Sequence, residues 1–371
     1  MKYNAIGLIS AMYEPNGTFG SLLARRSLAT LPFGARYRMI DFPLSSMVDA
    51  GITTVGVIAP YYYRSLIDHL ESGRSWNLDK REGGLYIMPG TVFGTKNPQA
   101  RFLVGDLVRN SRIFRNYNTD YVVFADTSCV MNADMNKILE NHVKSGCQAT
   151  LLYKKGKIRS EVVNTINFNV GSDGRIKEFL DSYDKTNNVF LGIFVVNRTC
   201  LMEILNAYSV FKNTDFIDLL IENFPKLTIN ACEYNEYAER IDSVYDYYNV
   251  NMGLMDESIS QTNLFCDERP IMTKVQDEVP CLYIGNAKVR NSIVASGCVI
   301  RGEVENSIIF RSVHIAEGSV VRNSIIMQHG EIGRNAVLSD VILDKYVTIG
   351  EGKSLKGSSS SPTIVEKGTN I

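Results

Sequence analysis

At 371 residues, with 45% hydrophobic and 21% charged side chains, the chain has the size of two ordinary domains and the composition of a globular protein. A disulfide-stapled miniprotein, a fibre and a disordered chain are excluded. Its 39 Lys and Arg against 40 Asp and Glu leave a formal charge of −1, so the overall balance draws it neither to nucleic acid nor to an anionic membrane, and any anion site must be local. Seven scattered cysteines, none in C-x-x-C spacing, read as reduced thiols. No secretory-type leader is visible and no apolar run approaches the roughly 20 residues that cross a bilayer, so a cytoplasmic protein is expected.

The apolar run 2–11 reads as a buried strand, and the polar stretch after Met12 (Glu14, Pro15, Asn16, Gly17, Gly20) as a turn able to serve as a ligand loop. Asp49-Ala50-Gly51 ends a short helix; residues 53–59 form a β-branched strand, and 65–70 are helix-like. Apolar positions recur at helical spacing over 103–117, ahead of the strand Tyr121-Val122-Val123-Phe124-Ala125 and a helix over 136–144. Strands follow at 149–153 and 189–196, and amphipathic segments at 201–207 and 216–223. This βα alternation predicts an α/β domain over 1–255, a Rossmann-like, mostly parallel sheet with helices on both faces.

Residues 256–280 turn polar and irregular, with Pro270 and Pro280, and read as a linker. Beyond it come four similar tetrads, Asn291-Ser292-Ile293-Val294, Asn306-Ser307-Ile308-Ile309, Asn323-Ser324-Ile325-Ile326 and Ser339-Asp340-Val341-Ile342. A repeat of about 16 residues is too short for helical repeats and too regular for an open sheet, so a β-helical solenoid is expected over 281–371, with a small antiparallel sandwich as the alternative. The serine-rich stretch 357–362 reads as a mobile tail.

The segment Leu31-Pro32-Phe33-Gly34-Ala35-Arg36-Tyr37-Arg38-Met39-Ile40-Asp41-Phe42-Pro43-Leu44-Ser45-Ser46 resembles the P-F-G-x-[KR]-Y-R-x-I-D-F-x-L-S-N segment of glucose-1-phosphate adenylyltransferases. Arg269-Pro270-Ile271-Met272-Thr273 is similar to the family's W-P-I-x-T. The resemblance implies a nucleotidyltransferase-type domain followed by a left-handed β-helix, and a place in ADP-glucose formation from ATP and glucose 1-phosphate for glycogen. It also implies Mg²⁺, which suits a reaction between two anions because it takes one or two carboxylates plus phosphate oxygens.

Several of the family's chemical groups are replaced here. The G-G-x-G-x-R-L phosphate loop becomes Ser10-Ala11-Met12-Tyr13-Glu14-Pro15-Asn16-Gly17-Thr18-Phe19-Gly20, leaving Gly17 and Gly20 as vestiges of a nucleotide loop. The lysine before P-F-G becomes Leu28, the G-T-A-D segment falls near Phe102-Leu103-Val104-Gly105, and the sugar-phosphate E-K-P becomes Asp181-Ser182-Tyr183. Asp126 matches the metal-binding aspartate of G-D-H, or is simply a strand-end carboxylate near a helix start; its partner position falls at Arg240 or Ile241, with Asp242 nearest. Each lost preorganised donor costs about 3 kcal/mol in the transition state, and three together about 10⁶-fold if additive.

That pattern resembles the GlgD-type, regulatory branch of the family. It implies a non-catalytic or weakly catalytic subunit that needs no cofactor of its own, with Mg²⁺ only if the site is active. The implied partner is a catalytic glucose-1-phosphate adenylyltransferase subunit, in a hetero-oligomer that is tetrameric in the family. Arg25, Arg26 and Arg38 stand where the family binds effector phosphates, although Arg36 and Arg38 could equally pair with Asp41 or a neighbouring subunit. Two other readings remain open: a competent transferase using Arg25 or Arg26 in place of Leu28, and a sugar-nucleotide-sensing scaffold. His314 and His329 on the repeat keep a hexapeptide acyltransferase in view.

Overall fold

The computed structural model describes residues 3–11, 19–59, 62–91, 100–156, 166–180 and 188–371. Its first part is built on a sheet of seven strands, β1 (Ala5–Ser10), β2 (Thr54–Ala59), β3 (Gly84–Pro89), β4 (Tyr121–Ala125), β5 (Ala149–Lys155), β6 (Asn188–Asn197) and β7 (Ile229–Glu233). The spatial order is β7-β5-β6-β4-β1-β2-β3. Every adjacent pair is parallel except the two made by β6, which runs antiparallel to β4 and β5. β1 and β2 are buried along their whole length, which explains their near-continuous apolar sequence in a sheet covered on both faces.

Alternate strand residues feed two cores. Leu8, Phe124 and Phe194 meet Phe102 and Phe216 on one face. On the other, Ile9, Val57 and Val123 meet Leu44 and Met47 of helix α1 (Asp41–Asp49) and Leu139 of helix α2 (Met135–Ser145). The helical spacing over 103–117 resolves into two short helices, Val104–Arg109 and Arg112–Asn116, because the Asn110 side-chain amide donates to the Asp106 and Pro89 carbonyls and turns the chain between them.

From residue 282 the chain winds into a three-sided parallel β-helix. Each side is a five-stranded parallel sheet, represented by Leu282–Tyr283, Lys288–Arg290 and Ile293–Val294 in the first coil. The tetrads explain themselves residue by residue. Asn291, Asn306, Asn323 and Asp340 all sit at positive φ, between 41° and 54°, at the corner where the left-handed conformation is required and where Asn and Asp are the best non-glycine residues. The fourth repeat therefore starts at Asp340 rather than Ser339, and the true offsets are 15, 17 and 17 residues. Next to each corner, Ser307 Oγ accepts from Ser324 N at 3.1 Å and Ser324 Oγ from Val341 N at 3.3 Å, tying coil to coil.

In the inner tetrads both aliphatic residues are buried, for different reasons, whereas Ile293 and Val294 in the first are only half-buried. Ile309 and Ile326 fill the solenoid interior, whereas Ile308, Ile325 and Ile342 point outward into a core shared with Leu28, Phe33, Phe42 and Tyr247 of the α/β part. Tyr247 and Tyr248 lie on helix α3 (Val244–Gly253); the Tyr247 hydroxyl donates to Pro32 O at 2.7 Å and that of Tyr248 to Asn323 O at 2.6 Å. The two tyrosines thus serve the interface. Segment 256–280 is not wholly irregular: it contains a π-helix, Ser258–Leu264, and Leu264 and Ile271 enter the shared core. Residues 357–362, expected as a mobile tail, form a turn closed by reciprocal Ser358 and Ser361 backbone bonds of 3.1 and 3.0 Å, and the chain then adds Thr363–Val365 to the β-helix. The turn is an insertion between two successive strands on different sides of the solenoid, Ser354–Lys356 and Thr363–Val365, which composition alone conceals.

Candidate functional site

Asp126 follows β4 at its carboxyl end, where a parallel sheet offers its ligand site. Its carboxylate is fully engaged by protein groups. Oδ1 accepts from Ser128 N at 2.9 Å and Ser128 Oγ at 2.6 Å, and Oδ2 accepts from Arg101 Nε at 2.8 Å. Arg101 is itself placed by Asp215, whose carboxylate accepts from the Arg101 and Phe102 backbone N–H groups, and by the Phe102 ring wedged against Phe124 and Phe194. Burial pushes Asp126 upward, but the guanidiniums of Arg101 and Arg240 and the two Ser128 donors more than reverse this and hold it below the usual carboxylate range. A Cβ on Gly192 would collide with the Asp126 carboxylate, so β6 can pass it only as glycine, at φ +73°.

The second expected carboxylate is closed in the same manner. Arg240 ends the short strand Ala238–Arg240, and its Nε donates to Asp242 Oδ2 at 2.5 Å while Nη1 donates to Phe190 O at 3.2 Å. Mg²⁺ needs carboxylate oxygens open toward substrate phosphates; at Asp126 and Asp242 guanidinium donors stand against those oxygens. No group of three or more potential ligands comes together among the described residues. Among the described residues, the paired carboxylates Asp126 and Asp242 do not fit a catalytic Mg²⁺. Leu28, where the resemblance calls for a phosphate-binding lysine, has no exposed surface and packs in the core shared with the β-helix. Gly17 and Asp181-Ser182-Tyr183 lie outside the described residues; Gly20 opens a 3₁₀ turn (Gly20–Leu23) at φ +51°.

The other candidate residues lie where the α/β part meets the β-helix. Arg25 is exposed, while Arg26 is buried, its Nη2 2.6 Å from both oxygens of Asp344 on the solenoid. Arg38 Nη1 donates to Ser65 O at 2.7 Å and Ser65 Oγ at 3.1 Å, and its backbone N–H to Asp41 Oδ2 at 2.9 Å. Asp41 in turn holds His69 Nε2 at 2.6 Å. Sequence reasoning missed two further cations, Lys345 and Arg311. Burial, then Arg38 and Arg26, lower Lys345 to about 7 in spite of Asp344. Burial and Arg36 lower Arg311 likewise. Lys345, Arg38 and Arg26 thus share one small, poorly solvated volume, while Arg311 stands apart from them beside Arg36. The signal was available in the repeat: Arg311, Gln328 and Lys345 recur at 17-residue steps on one corner of the solenoid, beside Ser312, His329 and Tyr346 at positive φ. His329 stacks on Tyr346 with centroids 4.8 Å apart, and His314 pairs with Glu331 at 3.3 Å. Neither histidine faces a nucleophile in these contacts.

Two family models match. Residues 22–227 match "Nucleotidyl transferase" and residues 284–358 match "GlmU-like, C-terminal hexapeptide", the repeat of left-handed β-helices. The chain is 35% identical over 354 residues to "Glycogen biosynthesis protein GlgD" of Bacillus subtilis (strain 168), covering 94% of this chain and 91% of that protein. Its counterpart in Geobacillus stearothermophilus is 35% identical over 348 residues, covering 94% and 92%. A "Glucose-1-phosphate adenylyltransferase" of Pseudothermotoga lettingae is 33% identical over 357 residues, covering 92% and 84%. No helix among the described residues is long and apolar enough to cross a membrane.

Proposed function

Because the chain belongs to the nucleotidyl transferase family, in the group formed by GlgD glycogen biosynthesis proteins and glucose-1-phosphate adenylyltransferases, we propose that it is a regulatory subunit, non-catalytic or weakly catalytic, of a cytoplasmic ADP-glucose-forming enzyme. It works by assembling with a catalytic glucose-1-phosphate adenylyltransferase subunit in a hetero-oligomer and changing that partner's turnover or effector response. One observation carries the reading: the carboxylate placed where a metal would bridge the reactants, Asp126, is paired at 2.8 Å to a guanidinium of its own chain. Adenylyl transfer must bring a triphosphate against a sugar phosphate, and without a metal clamp or the lysines this pocket has too little free positive charge to hold both. No resident cofactor is needed for the regulatory role.

The regulatory input falls at the interdomain cluster of Arg26, Arg38 and Lys345, which suits a phosphorylated effector. Arg25, being exposed, belongs to the rim. The test mixes the purified chain with a catalytic subunit, follows assembly by size exclusion, and measures ADP-glucose formation with and without effector phosphates. Co-elution together with an altered kcat or effector midpoint supports the proposal; separate elution with unchanged kinetics contradicts it.

A further inference from the structure

The first two coils of the β-helix hold a pair of cysteines in register. Leu282 and Tyr283 pair in parallel with Val299 and Ile300, and Leu282 N donates to Cys298 O at 2.8 Å, which sets Cys281 directly beside Cys298 on the neighbouring strand. Both face inward: Cys298 is buried in the solenoid core and half-buried Cys281 packs against the same cluster. The ladder bonds continue that inward column through Val313, Gly330 and Val347, so only the two outermost rungs carry thiols. Neighbouring parallel strands lie about 4.8 Å apart, inside the Cα window of about 4.4–6.8 Å in which a disulfide can close.

We propose that Cys281 and Cys298 form a reversible cross-rung disulfide, a redox-responsive clasp on the end of the β-helix that faces the preceding segment. At a strand spacing of about 4.8 Å the Cβ atoms stand just beyond the ordinary disulfide range of about 3.5–4.5 Å, so closure needs a small local shift and leaves a strained, readily reduced bond. A low-molecular-weight disulfide such as oxidised glutathione is the oxidant. The Cys281 thiolate, on the accessible rung, attacks one of its sulfurs and expels one thiolate. The Cys298 thiol then loses its proton, attacks the Cys281 sulfur of the mixed disulfide and expels the second. Two protein thiols lose two protons and two electrons, and the oxidant leaves as two thiols. Cys298 alone is a poor nucleophile: burial pushes its thiol up to about 11 and its Sγ donates to Phe310 O at 3.0 Å. It reacts only when its neighbour presents the mixed disulfide.

The clasp matters because the chain enters this coil through weakly anchored residues. Val275 and Val279 are 68% and 70% exposed, and the segment is held mainly by polar ties: Lys274 on Asp68 O and on Glu71, Gln276 on Arg311, Glu278 on Ser312, and a backbone bond from Gly297 N to Val279 O. Closing the bond fixes that entry to the second coil.

The full chain, incubated over a series of reduced-to-oxidised glutathione ratios, is alkylated and mapped by non-reducing peptide mass spectrometry. Expected is a Cys281–Cys298 linked peptide, lighter by two hydrogens, reversed by dithiothreitol and absent from Cys281→Ser and Cys298→Val, the latter copying the residue type of the deeper rungs. Limited trypsin cleavage after Lys274 slows several-fold in the oxidised wild type only. A glutathione adduct persisting on Cys281 beside a free Cys298, alkylation of both thiols at oxidising ratios, an intermolecular Cys281 link, or unchanged cleavage once the bond has formed would each overturn it.

Discussion

Asp126 shows how a carboxylate inherited from a metal-dependent scaffold can be kept in a protein with a different task. Two guanidiniums and the Ser128 donors neutralise it, so it becomes a structural anchor between β4, β6 and the segment carrying Arg101. Removing one member of such a buried pair leaves the other charge uncompensated, and Asp126→Asn is expected to cost about 3–5 kcal/mol by chemical denaturation at pH 7. Because Asp126 is depressed in the folded state, its contribution is present above the unfolded carboxylate pKa and vanishes as the pH falls through the lower, folded value. The gap between wild type and Asp126→Asn therefore narrows in acid.

Lys345 carries the opposite sign. With a folded pKa of about 7 against 10.5, it holds fewer protons folded than unfolded between those values, so its contribution makes stability rise with pH across that window. Lys345→Met is expected to melt above wild type below pH 7, the difference closing as the pH rises. Sulfate, dianionic throughout, should bind wild type more tightly at pH 6 than at pH 8.5, by about sevenfold if binding raises Lys345 by one unit. The groups facing Lys345 are Arg26, Arg38, Asp344, Lys367 and His69; loss of the pH dependence in Lys345→Met isolates it from them. Leu28 and Asp126 were legible in sequence because each stands at a fixed place in a motif. Arg101 was not, since it reaches Asp126 from 25 residues upstream by a route that Asp215 and Phe102 fix only in three dimensions.

The repeat is the element whose physics the sequence displays most openly: a corner asparagine, a rung-bridging serine and an inward aliphatic residue recur coil after coil. Asn323, at φ +45°, is expected to tolerate glycine with little loss, while Asn323→Ala should cost about 1–2 kcal/mol for a Cβ forced into the left-handed region without the local polar contact. Unfolding midpoints of the two variants check this directly. The Asp340 offset escaped sequence reading because Val341 replaces the bridging serine, shifting the apparent motif by one residue. β7 was missed for a related reason: Asn230 interrupts its apolar run, yet it is buried, its amide donating to Asn141 Oδ1 at 2.6 Å.

Across the whole molecule the α/β part and the solenoid are joined by apolar packing, with charge confined to one corner. Ile308, Ile325 and Ile342 seal the shared core while Arg26–Asp344 closes its rim. Asp344 is the nearest counter-charge to Arg26 and one of the few offsets to Lys345. Asp344→Asn is expected to destabilise the chain by about 3–5 kcal/mol and, in the same protein, to tighten sulfate binding, whereas Lys345→Met weakens it. Calorimetric titration of both variants separates an anion site from a merely structural ion pair. The tetrads announced a solenoid with a periodic core, but the burial of its outer aliphatic residues depended on Leu28, Phe33 and Tyr247, distant in sequence.

A single assay decides whether the guanidinium-closed carboxylate has truly replaced the catalytic centre: ADP-glucose formation by the isolated full-length chain, given ATP, glucose 1-phosphate and saturating Mg²⁺, beside its Asp126→Asn variant. Wild type and variant should both stay at or near background. Sustained turnover by the isolated wild type that the substitution abolishes would contradict the regulatory assignment.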